Sequence, residues 1–255
     1  MIKILLLRVV RPDVIVNAAA RTAVDRAESE SELSRTLDAI APEVLAREAA
    51  ALGVLQVHYS TDYVFDGSGS KPREECSPTG PLSVYRRTKL EGEQLVSGSG
   101  CRHLILRTSR VYAARGGNFT RRMLRLAAER DELKVIDEQI GAPIGADLLA
   151  DLTAHANCAI AADPAKCGLY HCVAAGETSW HAHARFVIER ARAHGHALKV
   201  AADAVRPIPT RDDPTAATRP LNSRLDKRRL QHSFGLVLPA WQLGVERTLG
   251  EVLGH

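Results

Sequence analysis

Two strand-length apolar runs stand almost back to back at the start of this chain, and their spacing limits how it can fold. Residues 2–7 are apolar but for Lys3; Val14-Ile15-Val16 follows a Pro12-Asp13 punctuation and leads into Ala18-Ala19-Ala20. Each run has the pattern of a strand buried on both faces, as in a parallel sheet. Parallel neighbours need a crossover of roughly a dozen residues or more. Only Arg8-Val9-Val10-Arg11-Pro12-Asp13 lies between the runs. Either the two strands are not joined in the usual way, or a crossover segment is missing between them.

The rest of the first half alternates regularly. The pattern predicts a helix over residues 23–50 broken near Pro42, a strand over 54–59, and a helix over 83–95. A strand over 103–107 and a helix over 118–130 follow. Strands alternating with helices imply an α/β fold with a parallel sheet and helical crossovers. The second half is mixed. Helices are expected over 146–162, 179–194 and 241–253, and a short strand in GLYHCVA. The stretch RPIPTRDDPTAATRPLNSRLD is too rich in Pro, Thr and Asp for regular structure, and such segments often line a site.

Charge and cysteines narrow the function. The net charge is +4, and the basic residues are dispersed among acids rather than gathered in a block with aromatics. That argues against nucleic acid as a partner, while a modest positive field suits a phosphate-bearing small molecule. Cys76, Cys101, Cys158, Cys167 and Cys172 form no C-x-x-C pair, as expected of reduced thiols in a cytoplasmic protein. The opening apolar run is too short for a signal peptide or a membrane span. Cys167 and Cys172 bracket an expected strand and read as buried, inert thiols. His181 and His183 are two apart on a helix and do not share a face for a metal. Glu28, Glu30 and Glu32 read as a solvated helix face, Trp180 and Trp241 as core anchors, and Asn222 or Ser223 as a helix N-cap.

The segment YSTDYVFDGSG and the later VYRRTK carry the chemistry. Tyr85 and Lys89 are four apart and project from one helix face. A phenol titrates near ~10 and is a poor acid–base group at neutral pH, but a neighbouring ammonium favours its phenolate. Such a pair can give a proton to a developing alkoxide or take one from an alcohol. Thr61 falls just past the expected end of a strand, where open α/β sheets place ligand contacts. Its hydroxyl could bond the same reacting oxygen, and Asp62 a neighbouring sugar hydroxyl.

NAAARTAVDRAESE, HYSTDYVFDGSG, PLSVYRRTKLEGE, LILRTSRVYAARGGNF, DEQIGAP and RPLNSRLDKRRL together resemble the dTDP-4-dehydrorhamnose reductase family of extended short-chain dehydrogenases/reductases. The resemblance implies a Rossmann-like parallel sheet with helices on both faces and a smaller, mixed substrate lobe. It divides the chain into an incomplete cofactor-binding and catalytic domain over 1–140 and a mostly substrate-binding lobe over 141–255, with segments returning to the first. It implies hydride transfer from NADPH or NADH to the 4-keto carbon of a dTDP-sugar, with Tyr85 as proton donor, Lys89 lowering its pKa and contacting the nicotinamide ribose, and Thr61 orienting the carbonyl. Ala18, Ala19, Ala20, Arg21 and Thr22 would line the cofactor path; Asp62, Tyr63, Arg110 and Asn118 would join Thr61 on the substrate. The resemblance also allows Mg2+ and a homodimer, which the residues do not spell out. A related dehydratase would carry Glu after the Thr-Asp, whereas Tyr63 follows here.

Several positions depart from the family pattern. No Gly precedes Gly53, so the glycine-rich turn that sets backbone N–H groups against a pyrophosphate is missing, with the strands and crossover around it. Arg21 stands for an aromatic or His, Asp38 for Asn, Arg86 for Gly, Arg110 for Trp and Ile144 for Thr. Three readings follow: a dTDP-sugar reductase, a non-catalytic nucleotide-sugar-binding or regulatory homologue, or a deletion product with exposed sheet edges.

Overall fold

The computed structural model describes residues 7–254. The strand expected over 2–7 lies outside them but for Leu7, which opens a single helical turn over 7–10. That turn ends at Arg11, whose φ of 48° leads the chain out of the helix ahead of Pro12.

Strand β1 (Val14–Asn17) follows, then the short helix α1 (Val24–Ser29). The helix expected over 23–50 is not broken at Pro42. It is interrupted at Glu30, and then runs as α2 (Ser31–Arg35), a π turn (Thr36–Ile40) and α3 (Ala41–Leu52). Pro42 is tolerated because it sits in the first turn after the π segment. Gly53 closes α3 in the left-handed region, with φ of 70°.

Strand β2 (Leu55–Thr61) runs two residues beyond the expected end, so Thr61 is its last residue. Helix α4 (Val84–Gly98) begins at Ser83, whose hydroxyl accepts the Arg86 N–H. Glu28 is not merely solvated, since its carboxylate accepts the Val84 N–H at the same helix start. Then come β3 (Arg102–Thr108), β4 (Val111–Tyr112), α5 (Phe119–Glu129), β5 (Leu133–Ile136), β6 (Ile140–Gly141) and β7 (Ile144–Gly145). Helix α6 (Ala146–Ala162), β8 (Gly168–His171), β9 (Thr178–Ser179), α7 (Trp180–Ala193) and β10 (Val205–Ile208) lead into β11 (Asn222–Ser223). Asn222 and Ser223 therefore pair in a strand and do not cap a helix; α8 (Arg228–Phe234) starts beyond them, and α9 (Trp241–Leu253) is last.

The main sheet has the order β1-β2-β3-β8, all parallel, with Val14 opposite Leu55 and Leu55 opposite Arg102. One face packs Ile15 and Ile105 on Ala46, Ala49 and Val96 of α3 and α4. The other packs Val57, Leu104 and Leu106 on Leu149, Leu152 and Ile160 of α6. These runs are apolar throughout because both faces are covered. A separate core gathers Met123, Val187, Val245 and Trp241 from α5, α7 and α9 around the parallel β5–β10 pair. Among the described residues β1 has no partner on its outer edge, and Val16 is 48% exposed there.

Both cores enclose neutral histidines. Burial pushes His171 down to about 3, with Arg107 adding to the effect, and pushes His183 down to about 3, with Arg110 adding to it. Above pH ~6.5 neither the folded nor the unfolded state protonates these rings. Below it the unfolded chain takes up protons that the folded chain refuses, so stability falls as pH drops toward 3. At pH 5 each histidine is expected to cost about 2 kcal/mol. Denaturant melts at pH 7 and pH 5 would measure this, and His183→Phe is expected to flatten the slope. An unchanged slope would remove His183 from the account.

Candidate active site

The carboxyl ends of β1, β2 and β3 open onto one cavity of about 670 Å³. Open parallel sheets bind ligands at this end, and the volume suits a small organic ligand. Thr61, Asp62, Tyr63, Tyr85, Lys89 and Arg110 all line it, as do Ala18, Ala20 and Thr22. The three residues expected to do the chemistry, Thr61 from the end of β2 and Tyr85 and Lys89 from α4, thus meet in one place.

Each is positioned by its element. Thr61 ends β2, and its hydroxyl accepts the Tyr63 N–H at 3.1 Å and donates to Asp62 Oδ1 at 3.2 Å. Tyr85 lies in the first turn of α4, 8% exposed, with Tyr63 edge-on to it at a ring separation of 6.2 Å. Lys89 is one turn further on, 2% exposed, its Nζ donating to the Tyr59 carbonyl at 2.6 Å. The same helix is pinned to the sheet by Glu93, which takes Arg107 Nη2 at 2.7 Å and the Ser60 hydroxyl, all buried. Removing one partner of a buried pair strands the other's charge. Glu93→Gln is therefore expected to cost about 3 kcal/mol in urea denaturation, while Arg35→Gln, at the exposed Glu91 pair, should leave the midpoint almost where it was.

The electrostatics differ from the sequence expectation in one respect. The Tyr85 phenol is not lowered; burial raises it, and Asp38 and Asp62 add to the rise against the opposing Thr61 hydroxyl. In this state Lys89 is engaged with a backbone carbonyl, and burial lowers its own pKa against the pull of Asp38 and Glu93. Tyr85 therefore holds its proton at neutral pH. Burial also raises Asp62 and pushes Tyr63 up to about 12.

Three residues that line the cavity carry a buried polar atom with no hydrogen-bond partner: Asp62 Oδ2, Thr108 Oγ1 and Ser109 Oγ. Unpaired buried groups cost free energy, so these are natural contacts for a polyhydroxy ligand. Arg110 is held at φ of 50°, its guanidinium stacked 4.1 Å from the Trp180 ring and donating to the Gln139 and Thr178 carbonyls. Trp180 is thus a wall of the site and not only a core anchor; Trp241, 5% exposed, is the core residue. Behind Tyr63 a second cavity, of about 610 Å³, is bordered by Arg122, Lys134 and Arg219.

Other candidates fall elsewhere. Asn118 caps α5, its amide accepting the Arg121 N–H and donating to the Ala113 carbonyl, and it borders neither cavity. Ala19 and Arg21 do not line the cavity beside Ala18 and Ala20; Arg21 gives its N–H to Asp38 and its guanidinium to Glu30. Sequence reasoning gave Thr108, Ser109 and Arg219 no role, although the first two follow an expected strand, as Thr61 does. No three His, Cys, Asp or Glu side chains among the described residues are grouped to hold a metal ion, and no described helix is long and apolar enough to cross a membrane.

The small Ala18 and Ala20 at the end of β1, facing Tyr85 and Lys89 across the cavity, fit the nicotinamide-ribose end of a dinucleotide. For the pyrophosphate end there is no glycine turn ahead of Gly53.

Known proteins agree with this reading of the geometry. The RmlD substrate binding domain family matches residues 4–253. The dTDP-4-dehydrorhamnose reductase of Shigella flexneri is 52% identical over 95% of this chain and 81% of its own length. The crystal structure of the Bacillus anthracis dTDP-4-dehydrorhamnose reductase in complex with NADP superimposes with a TM-score of 0.86 at 33% identity, over 96% of this chain and 82% of that one. A Clostridium acetobutylicum dTDP-4-dehydrorhamnose reductase gives 0.88 at 32% identity, covering 99% and 85%.

Proposed function

Because the chain belongs to the dTDP-4-dehydrorhamnose reductase family, we propose that its Thr61–Tyr85–Lys89 cavity is where the 4-keto group of dTDP-4-dehydro-L-rhamnose is reduced, giving dTDP-L-rhamnose. The observation that carries the assignment is the meeting of these three side chains at the carboxyl end of a parallel sheet. The neighbour solved with NADP supports NADPH as the reductant. When bound, the nicotinamide supplies the hydride.

The protein's own residues do the rest. The Thr61 hydroxyl and the Tyr85 phenol approach one cavity position and fix a carbonyl oxygen there. As that oxygen gains charge, Tyr85 gives it the phenolic proton; an alkoxide is a far stronger base than a phenolate, so even a raised phenol is acid enough. The Lys89 ammonium sits one helical turn away and stabilises the phenolate left behind. Asp62 Oδ2 and the Ser109 hydroxyl take sugar hydroxyls. Arg110, its guanidinium over the Trp180 ring, sets a cation where the family has an aromatic wall. The second cavity, with Arg122, Lys134 and Arg219 at its border, takes the nucleotide diphosphate.

The test is NADPH oxidation followed by absorbance, with the keto-sugar nucleotide as substrate. Substrate-dependent oxidation giving one dTDP-L-rhamnose per NADPH is the expected result. No oxidation at saturating cofactor, with dTDP-L-rhamnose still binding, would instead support a non-catalytic sugar-nucleotide binder, which the missing glycine turn favours.

A further inference from the structure

Residues 215–219 are neither helix nor strand, yet through Thr215 and Arg219 they form part of the wall of the second cavity. Three successive residues of this segment are gripped from two helices. Asp25 of α1 accepts the Ala217 N–H at 3.0 Å and Nη2 of Arg219 at 2.7 Å. Between them, the Thr218 carbonyl accepts Nη2 of Arg86, in the first turn of α4, at 2.6 Å. The Asp25 side chain is half exposed, so water and salt weaken its hold. The Arg86 side chain is shielded from both.

Arg86 makes this contact under unfavourable conditions. It is fully buried beside Tyr85, and its Nε and Nη1 have no hydrogen-bond partner. Its guanidinium lies 5.0 Å from the centre of the Tyr63 ring and bonds the Thr218 carbonyl. Both of these partners are neutral. A buried cation with unpaired donors destabilises a fold, and an apolar side chain of similar size would serve stability as well or better. Stability therefore does not account for Arg86. What the side chain does is join two parts of the site. One is the Tyr63 ring, which lines both cavities and meets Tyr85 edge-on at 6.2 Å. The other is the segment that carries Arg219.

We propose that Arg86 is a positioning residue for the sugar nucleotide: it latches residues 217–219 and the Tyr63 ring to the catalytic helix, so that the wall of the second cavity stands in fixed relation to Tyr85 before a ligand arrives. The latch rests on geometry alone; its use for the sugar nucleotide rests on the reductase reading. Without it the ligand would have to order an irregular segment, and that entropy would come out of the affinity. Arg86 itself borders neither cavity. Its removal therefore acts on binding of the sugar nucleotide and leaves the proton transfer from Tyr85 in place.

Amide exchange followed by NMR, and isothermal titration with dTDP-L-rhamnose, test this in the full chain. The Ala217 amide should be protected in the unliganded parent. In Arg86→Met it should exchange about tenfold faster or more, with Arg86→Lys, which can still donate to the carbonyl, in between. Arg86→Met should bind dTDP-L-rhamnose about tenfold more weakly and NADPH as the parent does. In turnover its KM for the keto-sugar nucleotide should rise at nearly constant kcat. Its stability in urea should equal or exceed that of the parent. An Ala217 amide that exchanges freely in the parent overturns the proposal, whether or not the variant folds. So does an unchanged amide in Arg86→Met, or a loss of urea stability with dTDP-L-rhamnose affinity intact, which would make Arg86 a structural residue only. A faster amide and weaker dTDP-L-rhamnose binding, in a protein that oxidises no NADPH, would uphold the latch and sink the reductase reading alone.

Discussion

NADPH should bind this chain about a hundredfold or more weakly than it binds the Shigella flexneri relative, with isothermal titration giving both dissociation constants. A dinucleotide is held at two ends. At the nicotinamide end Ala18, Ala20, Tyr85 and Lys89 surround one cavity. At the other end a dinucleotide-binding sheet offers a glycine-rich turn, whose backbone N–H groups and helix N-terminus meet the pyrophosphate. Here the described residues ahead of β1 are a helical turn over 7–10, Arg11, Pro12 and Asp13, and the sequence has no glycine before Gly53. Charge-assisted hydrogen bonds are worth roughly 1.5–3 kcal/mol each, and losing two of them weakens binding by about a hundredfold or more. Equal affinities within a small factor would mean that another part of this chain meets the pyrophosphate.

The same prediction separates cofactor from sugar. Tyr63 and Trp180 line both cavities; the first is otherwise walled mainly by β2, β3, α4 and α6, and the second by α5, β5 and residues 208–219. Binding of dTDP-L-rhamnose should therefore survive, and catalysis should be limited by a raised KM for NADPH more than by a lost kcat. A low kcat at saturating NADPH would point to a misplaced Tyr85.

What could be read from the sequence followed the strength of the local signal. Helix α6 and helix α9 were legible because a helical apolar stripe runs their whole length, and the central strands because uninterrupted apolar runs mean burial on both faces. Thr61, Tyr85 and Lys89 were legible because a strand end and an i, i+4 spacing are geometric statements in themselves. The π turn was not: it packs against another helix at Gly92, where a side chain would collide with the Asp38 carbonyl, and no window around Asp38 reveals that contact. Asn118 misled for a related reason, since an Asn ahead of an amphipathic helix serves a cap as well as it serves a sugar, and here the cap prevails. Trp180 read as core because aromatic residues on apolar helix faces usually are; its partner across space is Arg110, far away in the chain. The direction of the Tyr85 shift was also beyond a pairwise reading. Burial of the phenol outweighs one nearby ammonium, and the two carboxylates that reinforce it come from β2's end and the π turn.

Tyr85→Phe should lower kcat by about 10²- to 10⁴-fold with little change in dTDP-L-rhamnose affinity, because it removes one oxygen and its proton while leaving the ring in place. The ring packs edge-on to Tyr63 and is buried, so the fold has no reason to change. What disappears is the acid that neutralises the reduced carbonyl oxygen. Water cannot easily replace it, since the phenol position is enclosed and only 8% exposed. The Thr61 hydroxyl remains and can hydrogen-bond the oxygen. Its own proton, however, is held far more tightly than a phenol's, so it stabilises charge without delivering the proton. Thr61→Val should consequently cost less than Tyr85→Phe, and the double variant less than the product of the two, because both act on one oxygen. A Tyr85→Phe protein that turned over within a factor of a few of the parent would mean the proton comes from elsewhere. The Lys89 ammonium, one helical turn along α4 in the same cavity, would be the source to test, and Lys89→Met on that background would then be expected to abolish what is left.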